Sequence, residues 1–155
     1  MIEPMIGFTK MTTLYLLTGI GGFLFSSLLT DDVAVGASVS FYGFAGVLVA
    51  LLALNWHVFS QNLILTGMVI FFIFYSILFG ALLANDSNSI DMWGHFGGFL
   101  FGLPIGFFLM PGSSQGQGRA ARPTKLAYVA IAVTVTMFGG LFALFYTVRH
   151  PKNLF

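Results

Sequence analysis

Long apolar runs alternate with short polar stretches along the whole chain. Five runs can be drawn, and each has about the 20 residues that a helix rising ~1.5 Å per residue needs to cross ~30 Å of hydrocarbon. They cover residues 11–30, 33–54, 63–84, 92–110 and 126–148. The pattern therefore predicts an all-α fold, a polytopic bundle of about five transmembrane helices.

Charged residues are rare and avoid these runs. Of the 155 residues 57% are hydrophobic and 7% are charged, which excludes an ordinary soluble globule and predicts a multi-pass integral membrane protein, in an unspecified membrane. The lipid bilayer is the expected surrounding, and a net charge of +1 gives no reason to expect nucleic acid. The chain has no cysteine, which excludes disulfides and thiol chemistry. No metal-ligand cluster or cofactor motif occurs in the sequence, so we expect no metal and no cofactor.

The polar stretches follow a pattern in the sign of their charge, in which the second stretch has no charge but His57. Basic residues precede the first run and lie between the fourth and fifth, whereas acidic residues follow the first and third runs. The basic residues are Lys10, Arg119, Arg122 and Lys125, and the acidic residues are Asp31, Asp32, Asp86 and Asp91. Under the positive-inside rule, the N-terminus and the fourth loop lie in the cytoplasm and the Asp-bearing loops lie outside. Arg149 and Lys152 then fall outside, against the rule, so the orientation of the fifth run is the least supported.

One polar stretch is much longer than the others. Residues 111–125 are rich in Gly and Ser and lack an apolar anchor, and we interpret them as a flexible linker. The linker separates residues 1–110 from the run at 126–148, which has no polar group beyond Thr and Tyr. That last run is interpreted as an additional C-terminal transmembrane helix.

Two polar side chains inside predicted helices are candidates for chemistry, because burying such groups in hydrocarbon is costly. Ser38 follows Asp32 by six residues and His95 follows Asp91 by four. At ~1.5 Å per residue, the serine and the histidine lie roughly 9 Å and 6 Å below the outer surface, in one leaflet, as a Ser/His dyad requires. Each also has a structural alternative. A serine commonly bonds back to its own helix, and a histidine serves as a proton relay or a packing hydrogen bond.

A glycine stripe marks the fourth run. It repeats every four residues and comprises Gly94, Gly98, Gly102 and Gly106, with Gly97 beside it. The second run offers a matching small-residue surface made of Gly36, Ser40, Gly43 and Gly46. Such stripes occur in membrane bundles of every function, so the pattern predicts close helix packing and no particular chemistry.

The segment 36–46, GASVSFYGFAG, resembles the nucleophile helix of the rhomboid family of intramembrane serine proteases. The family pattern is G-x-S-G, followed by an aromatic position and two further glycines. The resemblance implies that Gly36 opens the motif, that Ser38 is the nucleophile and that Gly43 and Gly46 are the later glycines. It matches Tyr42 to an aromatic that stacks on the catalytic histidine in some members.

The segment 91–102, DMWGHFGGFLFG, is similar to the last core helix of the same family, with the pattern G/A-H-x-G-G-x-x-x-G. The resemblance implies that His95 is the general base, flanked by the supporting glycines Gly94, Gly97 and Gly98. Asp91 lies one turn earlier. It either orients His95 or is an exposed loop carboxylate that marks topology.

The resemblance covers residues 1–110, which look like the last four core helices of the family. The family core has six helices, so this chain is expected to begin where the second would end. The histidine and asparagine that the family places on that helix to hold the oxyanion then have no counterpart. Val39 stands where the family has a glycine, and we expect it to crowd the oxyanion site or stiffen its backbone. The run at 126–148 resembles the additional seventh helix of eukaryotic-type members.

The resemblance implies a serine endopeptidase that cleaves the transmembrane segments of membrane proteins. Ser38 would attack the scissile carbonyl and His95 would take its proton. Because losing one oxyanion donor typically costs ~10²–10³ in rate, we expect the chain as it stands to be a weak protease or none. Two alternatives are a catalytically inactive rhomboid-like protein that binds membrane clients and a truncated fragment without activity.

Overall fold

The computed structural model describes residues 7–31, 36–83, 91–109 and 125–149. Every regular element in these ranges is helical, which confirms the predicted all-α class. In chain order the helices are α1 (Phe8–Leu29), α2 (Ser38–Leu54), α3 (Trp56–Gln61), α4 (Leu63–Leu83), α5 (Met92–Leu109) and α6 (Lys125–Arg149).

Three of these helices are long and apolar enough to cross a membrane. They are α1, α5 and the part of α6 over Lys125–Val148. Helix α2 and the segment Leu63–Ser76 of α4 are shorter apolar helices. The protein is therefore a multi-pass integral membrane protein. Its five long helices agree with the five predicted runs.

Helix α5 occupies the middle of the bundle, where α1, α2 and α6 all pack against it. Helix α4 packs on the other side of α2. The core is built from large apolar side chains that are almost fully buried, namely Leu14, Val47, Leu51, Phe101 and Ile105. The central position of α5 follows from its glycines, because small residues let neighbouring backbones approach closely where lipid provides no hydrophobic driving force between helices.

The glycine stripe of α5 lies against α2, as predicted, but Ser40 of the predicted matching surface faces α1, where its hydroxyl donates to the Tyr15 carbonyl oxygen at 2.9 Å. A Cβ atom added to Gly98 would collide with the carbonyl oxygen of Val39, and one added to Gly102 would lie 2.8 Å from the carbonyl carbon of Gly43. A Cβ added to Gly106 would lie 2.7 Å from the Cβ of Ala50. The residue numbers of the contacting pairs increase along both helices in the same direction, so α2 and α5 are parallel. Their N-terminal ends therefore lie at the same end of the bundle.

Helix α2 begins later than its apolar run indicates. The run starts at residue 33, but the helix starts at Ser38, and residues 32–35 lie outside the described ranges. Gly36 has a φ of 137°, a backbone conformation that L side chains rarely adopt and that a helix does not contain. Ser38 is consequently the first residue of a helix, and its depth cannot be counted from Asp32 at the helical rise.

Helix α6 packs along one side of the bundle. The rings of Phe138 and Phe101 lie 4.5 Å apart between centroids, and Ala127, Ala130 and Thr134 are buried on the same helix. The predicted additional helix therefore contacts α5 and α1. The predicted linker over residues 111–125 lies outside the described residues, except for Lys125, which begins α6.

Candidate active site

Ser38 is exposed at the N-terminal end of α2. Ala37 precedes it as the N-cap residue, and the first intrahelical bond runs from the Phe41 N–H to the Ala37 carbonyl oxygen at 3.2 Å. An α-helix leaves its first N–H groups without intrahelical acceptors, and these groups carry the positive end of the helix dipole. Ser38 thus combines an accessible hydroxyl with backbone donors suited to a developing negative charge.

His95 lies in the first turn of α5 and is 8% exposed. Its ring packs on the ring of Tyr42, with 4.3 Å between the centroids and an interplanar angle of 38°. Tyr42 lies one turn after Ser38 on α2, and its hydroxyl donates a hydrogen bond of 2.6 Å to the carbonyl oxygen of Ser76 on α4. Tyr42 therefore connects three helices and holds one face of the imidazole.

The structure brings Tyr42 and His95 together but does not hydrogen-bond Ser38 to His95. Neither ring nitrogen of His95 has a hydrogen-bond partner in the part of the chain that the structure describes. The expected Ser38–His95 dyad therefore stays a prediction. The N-terminal turns of α2 and α5 lie at the same end of the bundle. Ser38 is in the first turn of α2, and His95 is in the first turn of α5.

Val39 is 2% exposed and points into the contact between three helices. One of its methyl groups occupies the space that a Cβ on Gly22 of α1 would need. The other lies 3.1 Å from the position of a Cβ on Gly94. The additional volume of Val39, relative to the family glycine, is accommodated by glycines on the two neighbouring helices. The structure gives Val39 a packing role that the sequence analysis missed.

The remaining supporting glycines lie in helix contacts. A Cβ on Gly97 would lie 2.7 Å from the Cβ of Phe25 and 3.0 Å from the Cα of Gly22, so it faces α1. A Cβ on Gly43 would collide with Thr18, also on α1. Gly36 differs from these, because it sets the turn that leads into Ser38. These residues shape the bundle around His95 and Ser38, as the glycine pattern indicates.

Asp91 is held by hydrogen bonds at the start of α5. Its Oδ1 accepts hydrogen bonds from the Ser26 hydroxyl at 2.5 Å and from the Gly94 N–H at 2.7 Å. It is neither bonded to the His95 ring nor a free loop carboxylate. An Asp just before an apolar run is a typical helix N-cap, and this signal was available in the sequence. Nothing in the sequence pointed to Ser26.

Within the described ranges, no group of three His, Cys, Asp or Glu side chains could hold a metal ion. The chemistry that the arrangement offers is that of a hydroxyl, an imidazole and helix N-terminal N–H groups. These are the elements of nucleophilic acyl transfer.

Several known proteins are similar to this chain. RHOMBOID-like protein 4 of Arabidopsis thaliana is 27% identical over 143 residues, covering 88% of this chain and 35% of that protein. Rhomboid-like protease 1 of Toxoplasma gondii is 36% identical over 108 residues, covering 68% of this chain and 36% of that protein. Inactive rhomboid protein 1 of Danio rerio is 27% identical over 151 residues, covering 97% of this chain and 17% of that protein. The chain spans about a third of the length of the first two relatives and less of the third.

No solved structure matches the chain. The family model of the Rhomboid domain matches residues 1–112, the part of the chain that contains Ser38, Tyr42 and His95. This match covers most of the chain and agrees with the helical bundle and with the motifs of α2 and α5. The chain belongs to the rhomboid family.

Proposed function

We propose that this chain carries the serine and histidine of a rhomboid-type intramembrane endopeptidase that cleaves transmembrane segments of membrane proteins. The observation that carries the proposal is the packing of Tyr42 on His95 at 4.3 Å, with Ser38 one turn away on the same helix as Tyr42. A helix that holds the imidazole through one aromatic and presents a hydroxyl at its start suits a nucleophile and its base.

In the proposed reaction the Ser38 hydroxyl oxygen attacks the scissile carbonyl carbon while His95 accepts the hydroxyl proton. The resulting oxyanion is stabilised by backbone N–H groups at the start of α2, among them that of Ser38. Collapse of the tetrahedral species breaks the C–N bond, and His95 returns the proton to the leaving amine. Water then attacks the acyl-serine while His95 takes one of its protons, the ester C–O bond breaks with return of that proton to the Ser38 oxygen, and the new carboxyl end is released.

A second candidate function is a non-catalytic rhomboid-like protein that holds membrane clients without cutting them. It is favoured by the absence of a hydrogen bond to either ring nitrogen of His95 among the described residues. The similar Danio rerio protein is itself named an inactive rhomboid protein.

The test measures cleavage of a fluorogenic transmembrane peptide in proteoliposomes. Two enzymes are compared: the 155-residue chain, and the same chain preceded by the first two core helices of a rhomboid relative. In the more active of the two, Ser38→Ala and His95→Ala each lower the rate by about 10³-fold or more, because the residues of a nucleophile–base pair act as a unit. We expect the extended protein to be faster by ~10²-fold or more, because the added helices supply oxyanion donors and each such donor typically contributes about that factor.

Matched controls are Ser60→Ala and His57→Ala. Both residues are exposed near the opposite end of α2, where Ser60 donates to the His57 carbonyl oxygen. Neither control is expected to change the rate. Robust folding of both enzymes without any Ser38-dependent cleavage would overturn the proposal in favour of the non-catalytic function.

A further inference from the structure

A hydrogen-bonded carboxylate joins the start of the helix that carries His95 to the end of α1. Asp91 immediately precedes α5, and Ser26 lies in the last turns of α1, 65 residues away. Ser26 is 1% exposed, and its hydroxyl donates to Asp91 Oδ1 at 2.5 Å. The same oxygen accepts the Gly94 N–H at 2.7 Å. One carboxylate oxygen therefore caps α5 and also ties it to α1.

The geometry depends on a glycine at position 94. A Cβ added there would collide with Asp91 Oδ2 and lie 2.8 Å from Asp91 Cγ. The carboxylate thus rests on the bare Cα of Gly94, the residue immediately before His95. Oδ2 itself is buried and has no hydrogen-bond partner within the described ranges, so the hydrogen bonding seen for this side chain runs through Oδ1.

Asp91 also holds the backbone of His95. The His95 N–H donates to the Asp91 carbonyl oxygen at 3.1 Å, so the side chain and the main chain of Asp91 together engage two consecutive N–H groups. The first turn of a helix frays unless such groups find acceptors. The His95 ring nitrogens have no hydrogen-bond partners among the described residues, so the contacts that hold the imidazole there include the Tyr42 ring and this first turn of α5.

We propose that the hydrogen-bonded group of Ser26, Asp91 and Gly94 positions His95 for its reaction with Ser38. Asp91 acts through the backbone of α5 and not by contact with the imidazole ring, and it is a positioning residue in that sense. The inference rests on the proposed protease function, and it assigns a role to Ser26, for which the rhomboid motifs of α2 and α5 provide none.

The test separates hydrogen bonding from charge. Asp91→Ala removes the acceptor for both hydrogen bonds, Ser26→Ala removes one donor, and Asp91→Asn keeps an acceptor oxygen without the charge. Ser27→Ala is the matched control, because the Ser27 hydroxyl bonds to the Leu24 carbonyl oxygen within its own helix at 2.8 Å. Cleavage of the transmembrane peptide gives kcat and KM, and thermal unfolding in detergent reports on the fold.

We expect Asp91→Ala to lower kcat by about 10- to 100-fold with KM within about twofold, since small displacements of a catalytic group reduce rates steeply. Ser26→Ala lowers kcat by a smaller factor, Ser27→Ala leaves it unchanged, and Asp91→Asn stays within about threefold of the parent protein. If Asp91→Asn is as slow as Asp91→Ala, the charge and not the hydrogen bonds matters. If Ser26→Ala matches Ser27→Ala, the link to α1 does not position His95. Either result overturns the proposal.

A second readout does not need activity. The ring nitrogens of His95 are observed by ¹⁵N NMR in a protein with His57→Gln and His150→Gln, in which His95 is the sole histidine. Ser26→Ala and Asp91→Ala are expected to broaden or shift these resonances, and Asp91→Asn and Ser27→Ala to leave them in place. Unchanged resonances in Ser26→Ala and Asp91→Ala refute the positioning role. Shifted resonances in a protein without Ser38-dependent cleavage uphold it while the protease function fails.

Discussion

At the scale of single residues, the candidate site is built from small residues that make room for a few larger ones. Val39 fills the space left by Gly22 on α1 and by Gly94 on α5. The carboxylate of Asp91 also lies where a Cβ on Gly94 would be. Gly22 and Gly94 therefore leave room for the side chains that lie next to them. Val39 departs from the family motif, and the glycines around it provide the space for its larger side chain.

Val39→Ala tests this fit. Removing two buried methyl groups opens a cavity between three helices, and we expect the free energy of unfolding to fall by about 1–2 kcal/mol. The same change at Val129, which is 58% exposed on α6, is the control and is expected to have little effect. Unfolding in mixed detergent micelles measures both. Equal stability of the two variants would mean that Val39 is not tightly packed.

At the scale of helices, the close approach of α2 and α5 is what sets the two N-terminal turns side by side. Gly98 and Gly102 of α5 face backbone atoms of α2, such as the carbonyl of Gly43 opposite Gly102. Backbone atoms move only when the whole helix moves. A side chain added to one of these glycines would therefore displace α2 and α5 relative to each other. Glycines on α6 differ, because nothing lies within 4 Å of a Cβ added to Gly139 or Gly140.

Gly102→Ala and Gly139→Ala are therefore the same chemical change in two environments. We expect Gly102→Ala to lower the free energy of unfolding by about 1–3 kcal/mol, because the new methyl group overpacks the helix contact. Gly139→Ala is expected to be neutral or to stabilise by about 0.5–1 kcal/mol, because alanine is the better helix former. A Gly102→Ala protein as stable as Gly139→Ala would show that the helices can separate without cost.

At the scale of the whole molecule, the orientation of the bundle decides from which side a substrate and water reach the site. The end of α1 at Asp31 lies near the Asp91 end of α5, because Ser26 of α1 bonds to Asp91. The short helix α3, which ends at Gln61, follows the other end of α2. The charge pattern of the loops predicts that the Asp31 end faces the outside.

The absence of cysteine makes this prediction simple to test, because any introduced thiol is unique. A membrane-impermeant maleimide added to intact cells that hold the protein in their surface membrane is expected to label Asp31→Cys, and Gln61→Cys only after permeabilisation. Both positions are exposed in the structure. Val47→Cys, at a position with 0% exposure, is the control for labelling of unfolded protein. Labelling of Gln61→Cys in intact cells, without Asp31→Cys, would invert the predicted topology.

The sequence by itself determined the helical class, the five apolar segments and the stripe on α5 that packs against α2. The physical reason is that each of these features depends on the residues of one segment and not on its partners. The cost of placing a side chain in lipid depends on that side chain, and a glycine every four residues marks one face of a helix whatever its partner is. The motifs around Ser38 and His95 are equally local, so they identified the family.

Only the tertiary structure decided where α2 begins, where the side chain of Val39 goes and what Asp91 binds. Gly36 interrupts the second apolar run through a backbone angle that hydropathy does not register. Val39 and Asp91 take their roles from residues on other helices, among them Gly22 and Ser26. Such contacts join segments that are distant along the chain, and their energy depends on how whole helices pack, which no pattern within one segment encodes.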